Sequence, residues 1–190
     1  MTGFSKAATL VTGAALAVAV PLGAYAAQGG AGDTPDGAQS GDVAILLTAL
    51  DDEYKAEATY AAVLKKFGSD VRPFVNIIRA EQRHSDMAKA ELDRLGAQYP
   101  RDNPYLGTIT APDTLLVACE TGIVAEQENI ALYDRLLPTV ADAQVHDVLS
   151  KLQWASQDRH LPAFQLCVDR GGTMGGGWGR GRGRGWGRGG

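Results

Sequence analysis

The spacing Glu53, then Glu81-x-x-His84, recurs further along the chain as Glu126, then Gln157-x-x-His160. On an α-helix, positions i and i+3 share a face, so each of these turns can aim both of its side chains at one point. Two lone carboxylates and two such turns, set at helix-length intervals, constrain the chain to bring four helices around a common centre. The pattern predicts the ligand set of a carboxylate-bridged two-metal centre, with Gln157 standing where a glutamate is expected.

Both ends of the chain read differently from this body. Residues 1–26 carry Lys6, an apolar stretch from Ala7 to Val20 and the small-residue site Ala24-Tyr25-Ala26, which is the pattern of a cleaved secretory signal peptide and predicts a secreted or extracytoplasmic protein. Residues 27–41, rich in Gly, Asp, Gln and Ser, read as a flexible spacer. Residues 171–190 are almost entirely Gly and Arg, with Trp178 and Trp186, and hold too little apolar surface to offset the entropy of ordering them.

Charge separates the tail from the body. Setting aside Arg180, Arg182, Arg184, Arg188 and Lys6 from the 18 basic residues leaves 13 against 22 acidic ones, a body of net charge about −9. A tail of this kind can bind polyanions. Phosphate contacts and base stacking would suit nucleic acid, but export favours anionic cell-wall polymers, a membrane surface, or the acidic face of a second copy in a homodimer. A solvated tail without a partner is the alternative.

Residues 42–170 are long enough for one core, and their punctuation predicts four helices. Helix 1 ends at Gly68, and helix 2 takes Pro73 in its first turn and ends before Gly96. Thr110-Ala-Pro-Asp113 and Thr139-Val-Ala-Asp142 resemble capping boxes opening helices 3 and 4, with Pro138 and Gly171-Gly172 closing them. Each helix carries an apolar stripe interrupted by the candidate ligands: Glu53 and Glu57 on the first, Glu81 and His84 on the second, Glu126 on the third, His160 on the fourth. Burying uncompensated carboxylates costs several kcal/mol per ion, so such a cluster calls for cations.

Depth supports one site. The midpoint of Glu53 and His84 falls at residues 68 and 69, on the expected turn, and that of Glu126 and His160 at 143, at the start of helix 4. Both hairpins therefore set their ligands at one level. Cys119 lies seven residues before Glu126 and Cys167 seven after His160, two turns from the site on one face, which predicts a disulfide in an exported chain. Between helices 2 and 3, Gly96 to Ala111 shows no periodicity and, extended, reaches about 50 Å, enough to cross a bundle from end to end.

The segments Asp51-Asp-Glu-Tyr-Lys-Ala-Glu-Ala-Thr-Tyr60, Ala80-Glu-Gln-Arg-His84, Gly122-Ile-Val-Ala-Glu-Gln-Glu-Asn-Ile130 and His160-Leu-Pro-Ala-Phe164 resemble the helix signatures of a secreted ferritin-like family of bacteria and archaea, designated domain of unknown function twenty-two-zero-two. The resemblance implies an all-α, ferritin-like four-helix bundle of two antiparallel hairpins joined by a long crossover, a di-iron-type site and no settled activity. By position it implies Glu53, Glu81, His84, Glu126 and His160 as ligands.

Several readings stay open. Glu53 and Glu57 lie one turn apart, so either or both could be the ligand of helix 1. Gln157 is a weaker ligand than a carboxylate, leaving one ion or two. Pro162 removes a backbone donor within helix 4 and should bend it just past His160. Tyr60 and Tyr133 are expected to pack in the core, with hydrogen bonding to the carboxylates or electron relay as alternatives, whereas Glu120, Glu128 and His146 should face solvent. The expected function is an exported iron- or manganese-binding protein; if it is catalytic, the expected reaction is oxidation of Fe(II) or reduction of O2 or peroxide. The alternatives are a scavenger without turnover and a metal-free surface bundle acting through its Arg-Gly tail.

Overall fold

Residues 37–173 of the protein are described by a computed structural model; the expected signal peptide, most of the expected spacer and Arg180, Arg182, Arg184 and Arg188 lie outside the described residues. Three long helices, α1 (Gly37–Phe67), α2 (Phe74–Arg94) and α3 (Leu115–Leu136), are followed by a 3-10 turn (Leu137–Thr139). A fourth rod combines α4 (Ala143–Ala155), a π-helical turn (Ser156–His160) and α5 (Leu161–Asp169), the backbone staying helical across both junctions. No strand occurs among the described residues, and none of their helices is long and apolar enough to cross a membrane.

The ends of the helices are set by backbone chemistry that was only partly legible. Gly96 takes a positive φ of 68°, and the bonds Gly96 N–H to Asp93 O and Ala97 N–H to Leu92 O close α2 in a Schellman motif. Neither expected capping box forms. Thr114, not Thr110, caps α3 by accepting from Val117 N–H, because Pro112 and Asp113 are occupied outside the helix: Lys66 Nζ bonds the Pro112 carbonyl at 2.7 Å and pairs with Asp113. Asp142, not Thr139, caps α4, accepting from Gln144 and Val145 N–H.

Helix α1 starts earlier than expected, so that residues 37–41 of the predicted spacer are helical. Tertiary contacts override their weak propensity. Gln39 Nε2 donates to the Leu95 carbonyl, and the buried Asp42 carboxylate accepts from the backbone N–H groups of Ala141 and Asp142. These contacts place the start of α1 beside the end of α2 and the start of α4.

The connection from α2 to α3 is held along α1. Tyr54 donates to the Pro100 carbonyl, Tyr105 to Asp51, and Asn103 to both the Tyr54 carbonyl and Glu57, before Lys66 meets Pro112 near the end of α1. The apolar side chains form two layers. Leu46, Leu50, Leu92, Leu149, Leu152 and Tyr133 build one, and Tyr60, Val63, Phe74, Ile77, Phe164 and the two cysteines build the other.

Cys119 and Cys167 are joined in a disulfide, as their spacing predicts, with Cα atoms 6.0 Å apart. Such a bond suits an oxidising, extracytoplasmic compartment. Beside it α3 and α5 are in close contact at Gly122, where an added Cβ would stand 2.7 Å from the Phe164 ring. The disulfide closes a ring with a sequence separation of 48 residues. By the loop-entropy relation, Cys119→Ser should lower stability by about 4 kcal/mol, as measured by guanidinium unfolding under oxidising conditions. A loss below about 1 kcal/mol would mean that the bond does not constrain the unfolded chain.

Candidate metal centre

The two apolar layers are separated by a polar one. Glu53 from α1, Glu81 and His84 from α2, Glu126 from α3 and His160 from the π-helical turn are all buried there. His84 Nδ1 lies 2.9 Å from Glu81 Oε2 and 3.3 Å from Glu53 Oε2; His160 Nδ1 lies 3.1 Å from Glu81 Oε1 and 3.4 Å from Glu126 Oε2. Glu81 is therefore shared, one oxygen facing each imidazole. The two rings stack with centroids 5.6 Å apart.

The outer oxygens are held by tyrosines. Tyr60 donates to Glu126 Oε1 at 2.7 Å and Tyr133 to Glu53 Oε1 at 2.8 Å. The exchange is reciprocal, since each tyrosine lies seven residues beyond the carboxylate of its own helix and bonds the carboxylate of the other. Core packing, the expected role of these residues, is thus joined to a second one: each terminal carboxylate is fixed by its outer oxygen with its inner oxygen turned to a histidine.

Two sequence-derived ligands are displaced. Glu57 is turned away from the centre, accepting from Gln82 Nε2 and Asn103 Nδ2, so Glu53 is the carboxylate that α1 supplies. Gln157 is exposed to solvent while Ser156 is buried. The cause is the π-helical turn. The i and i+3 positions share a face only at the α-helical pitch, and Pro162, which has no N–H for the Asp158 carbonyl, is followed back along the chain by a widened turn in which Leu161 N–H bonds Ser156 O. The irregularity expected just past His160 thus falls before it, as a π-helical turn ending at that residue. Glu120, Glu128 and His146 face solvent as expected.

A polar chain beside the centre was not singled out by its residue types. Ser156 donates to Asn129 at 2.7 Å, and Asn129 donates to Asp52, whose carboxyl burial raises above its usual range in spite of that hydrogen bond. Its one signal was the placement of Asn129 three residues after Glu126, on the same face.

The electrostatics follow from burial. Desolvation, and then the charge of Glu81, raise Glu53 above the usual carboxylate range. Burial would raise Glu81 too, but its contacts with His160 and His84 outweigh it and hold that carboxyl low. Burial disfavours both imidazolium ions, yet Glu53 and Glu81 push His84 up to about 9, and Glu126 and Glu81 push His160 up to about 10. Metal-free, Glu81 is the carboxylate that both imidazolium ions share, while Glu53 tends to keep its proton.

The residues also fit a cation. Glu81, His84 and His160 offer three ligand atoms within 4.8 Å of one another. Despite its short distances to Glu81 and Glu126, His160 Nδ1 is aligned for a hydrogen bond with neither, and is one of two buried side-chain polar atoms without such a partner among the described residues. A buried nitrogen close to two carboxylates but off the hydrogen-bond axis suits coordination better than hydrogen bonding.

A pH dependence follows for the metal-free protein. A histidine held protonated more tightly when folded contributes stability below its unfolded value of about 6.5 and loses it as pH rises towards the folded value. For His84 and His160 that loss runs up to about 9 and about 10, and the raised Glu53 acts in the same sense. Chelator-treated protein should therefore melt at least about 5 °C lower at pH 9 than at pH 6.5. A melting temperature that stays level or rises over this interval would contradict the pairing.

The sequence matches no protein-family model, and no curated protein matches it. Among solved structures, the crystal structure of a hypothetical protein from Methanococcus jannaschii is similar, with a TM-score of 0.61 and 18% identity, over 76% of this chain and 88% of that one. At that identity the likeness concerns the fold alone.

Proposed function

We propose that the chain is a ferritin-like metal-binding protein of the secreted family whose helix signatures it resembles, and that its buried centre holds divalent iron or manganese. The carrying observation is the sharing of Glu81, whose Oε2 faces His84, itself against Glu53, and whose Oε1 faces His160, itself against Glu126. This supports two adjoining positions, each with a terminal carboxylate, an imidazole and one oxygen of Glu81. Mixed oxygen and nitrogen donors suit iron or manganese.

The topology we propose is two antiparallel hairpins with a long crossover, supported by the contacts that hold the α2–α3 connection from Leu95 to Pro112 along α1. Tyr60 and Tyr133 fix the orientation of the terminal carboxylates, and neutral imidazoles are required of His84 and His160, so binding a cation releases their protons. A redox-active ion there would supply one-electron chemistry, and the activity we propose is oxidation of Fe(II) or reduction of O2 or peroxide.

Elemental analysis of the full chain, loaded anaerobically with Fe(II) or Mn(II) and desalted, should find about two ions per chain. Glu126→Gln should lower this to about one and Glu81→Gln should remove both. One ion in the wild type, unchanged by Glu126→Gln, would leave only the Glu81, His84 and His160 group as ligands. No stoichiometric metal would overturn the reading. Admitting O2 while following near-ultraviolet absorption then separates turnover from storage.

A further inference from the structure

The polar centre is reached from the surface through a pocket of about 480 Å³ between α2 and the fourth rod, with His84 and His160 among its lining residues. Its charge runs against that of the chain. Although acids outnumber bases 22 to 18, no carboxylate lines this pocket, while Arg72, Arg83 and Arg159 do. All three are exposed, and none forms an ion pair or a side-chain hydrogen bond with another described residue. Three guanidinium groups without acidic partners, lining one opening, make a local positive field that concentrates anions.

The remaining lining has a different character. Ile77, Ala80, Ala155 and Ala163 are apolar, and Trp154, 51% exposed, carries the Arg159 guanidinium 4.9 Å from its ring centroid. An exposed tryptophan beside a guanidinium fork offers a flat apolar face next to a donor matched to a carboxylate. The volume lies within the range of small-molecule sites.

We infer that this pocket binds a small organic carboxylate, its anionic head on Arg83 and Arg159 and its apolar body against Trp154 and the alanine-lined wall, within reach of the two histidines. The site goes beyond the metal reading and does not depend on an ion in the core. Bare oxyanions lack the apolar body and neutral isosteres lack the charge, so both should bind less well.

The test uses the full chain after chelator treatment, with benzoate as the probe in isothermal titration calorimetry. Benzoate should bind saturably, more weakly as salt rises. Benzamide and inorganic phosphate should each bind at least about tenfold more weakly, and the double variant Arg83→Gln, Arg159→Gln should lose at least about tenfold, the loss of roughly one charge-assisted hydrogen bond. Both substituted side chains are exposed, so the variant should retain the wild-type melting temperature.

Histidine-selective NMR supplies the location. Of the three histidines, His84 and His160 line the pocket and should shift on saturation, whereas exposed His146 should not. Absence of saturable binding, equal binding of benzamide or phosphate, an unaffected arginine variant, or shifts confined to His146 would each overturn the inference. Because metal is absent throughout, failure here leaves the stoichiometry of the metal centre unaffected, and failure of metal binding leaves this site testable.

Discussion

Three carboxylates buried at one level of a helical bundle are the constraint to which the other features answer. Carboxylates removed from water cost several kcal/mol each unless matched by charge or by donors. Here both kinds of compensation are present. The imidazoles of His84 and His160 meet the inner oxygens, and Tyr60 and Tyr133 meet the outer ones. The tyrosine exchange has a geometric origin. Helix side chains lean towards their own N-terminus, so a tyrosine two turns beyond a carboxylate reaches back towards its level. Tyr60 belongs to one apolar layer and Tyr133 to the other, so the layers close on the polar level from both sides.

The asymmetry of the centre traces to Pro162. If the fourth rod kept its α-helical pitch, Gln157 would stand over His160 as Glu81 stands over His84. The π-helical turn instead brings Ser156 and His160 inward and sends Gln157 out. Glu81 is left as the one residue that faces both imidazoles. The same rod, on either side of that turn, lends Trp154, Arg159 and His160 to the arginine-lined pocket.

What the sequence made legible was whatever depends on period and distance. The stripes, the common depth of Glu53, His84, Glu126 and His160, and the pairing of Cys119 with Cys167 follow from helical pitch and antiparallel counting. What escaped depends on contacts between distant segments. Glu53 and Glu57 differ by about 40° around a helix, too little for periodicity to separate. The choice is made by Gln82 and by Asn103 on the α2–α3 connection, both of which hold Glu57. Likewise Thr110 lost its expected cap because Lys66, on α1, engages the residues that follow it.

The disulfide then has a role beyond restricting the unfolded chain. A widened turn followed by proline interrupts the i to i−4 ladder at the residue that carries His160, so the position of α5 must come from α3. It does so by three contacts in succession: Gly122 admits the Phe164 ring, Cys119 is bonded to Cys167, and Gly172 lies so close to the Leu116 backbone that a Cβ there would stand 2.5 Å from its nitrogen. Phe164 in turn packs on Tyr60 at 5.4 Å, and Tyr60 holds Glu126. The covalent bond, the aromatic contact and the carboxylate facing His160 form one mechanical path. A change that loosened α5 would therefore reach the polar centre through Glu126 as well as through His160, while leaving the opposite tyrosine, Tyr133, on Glu53.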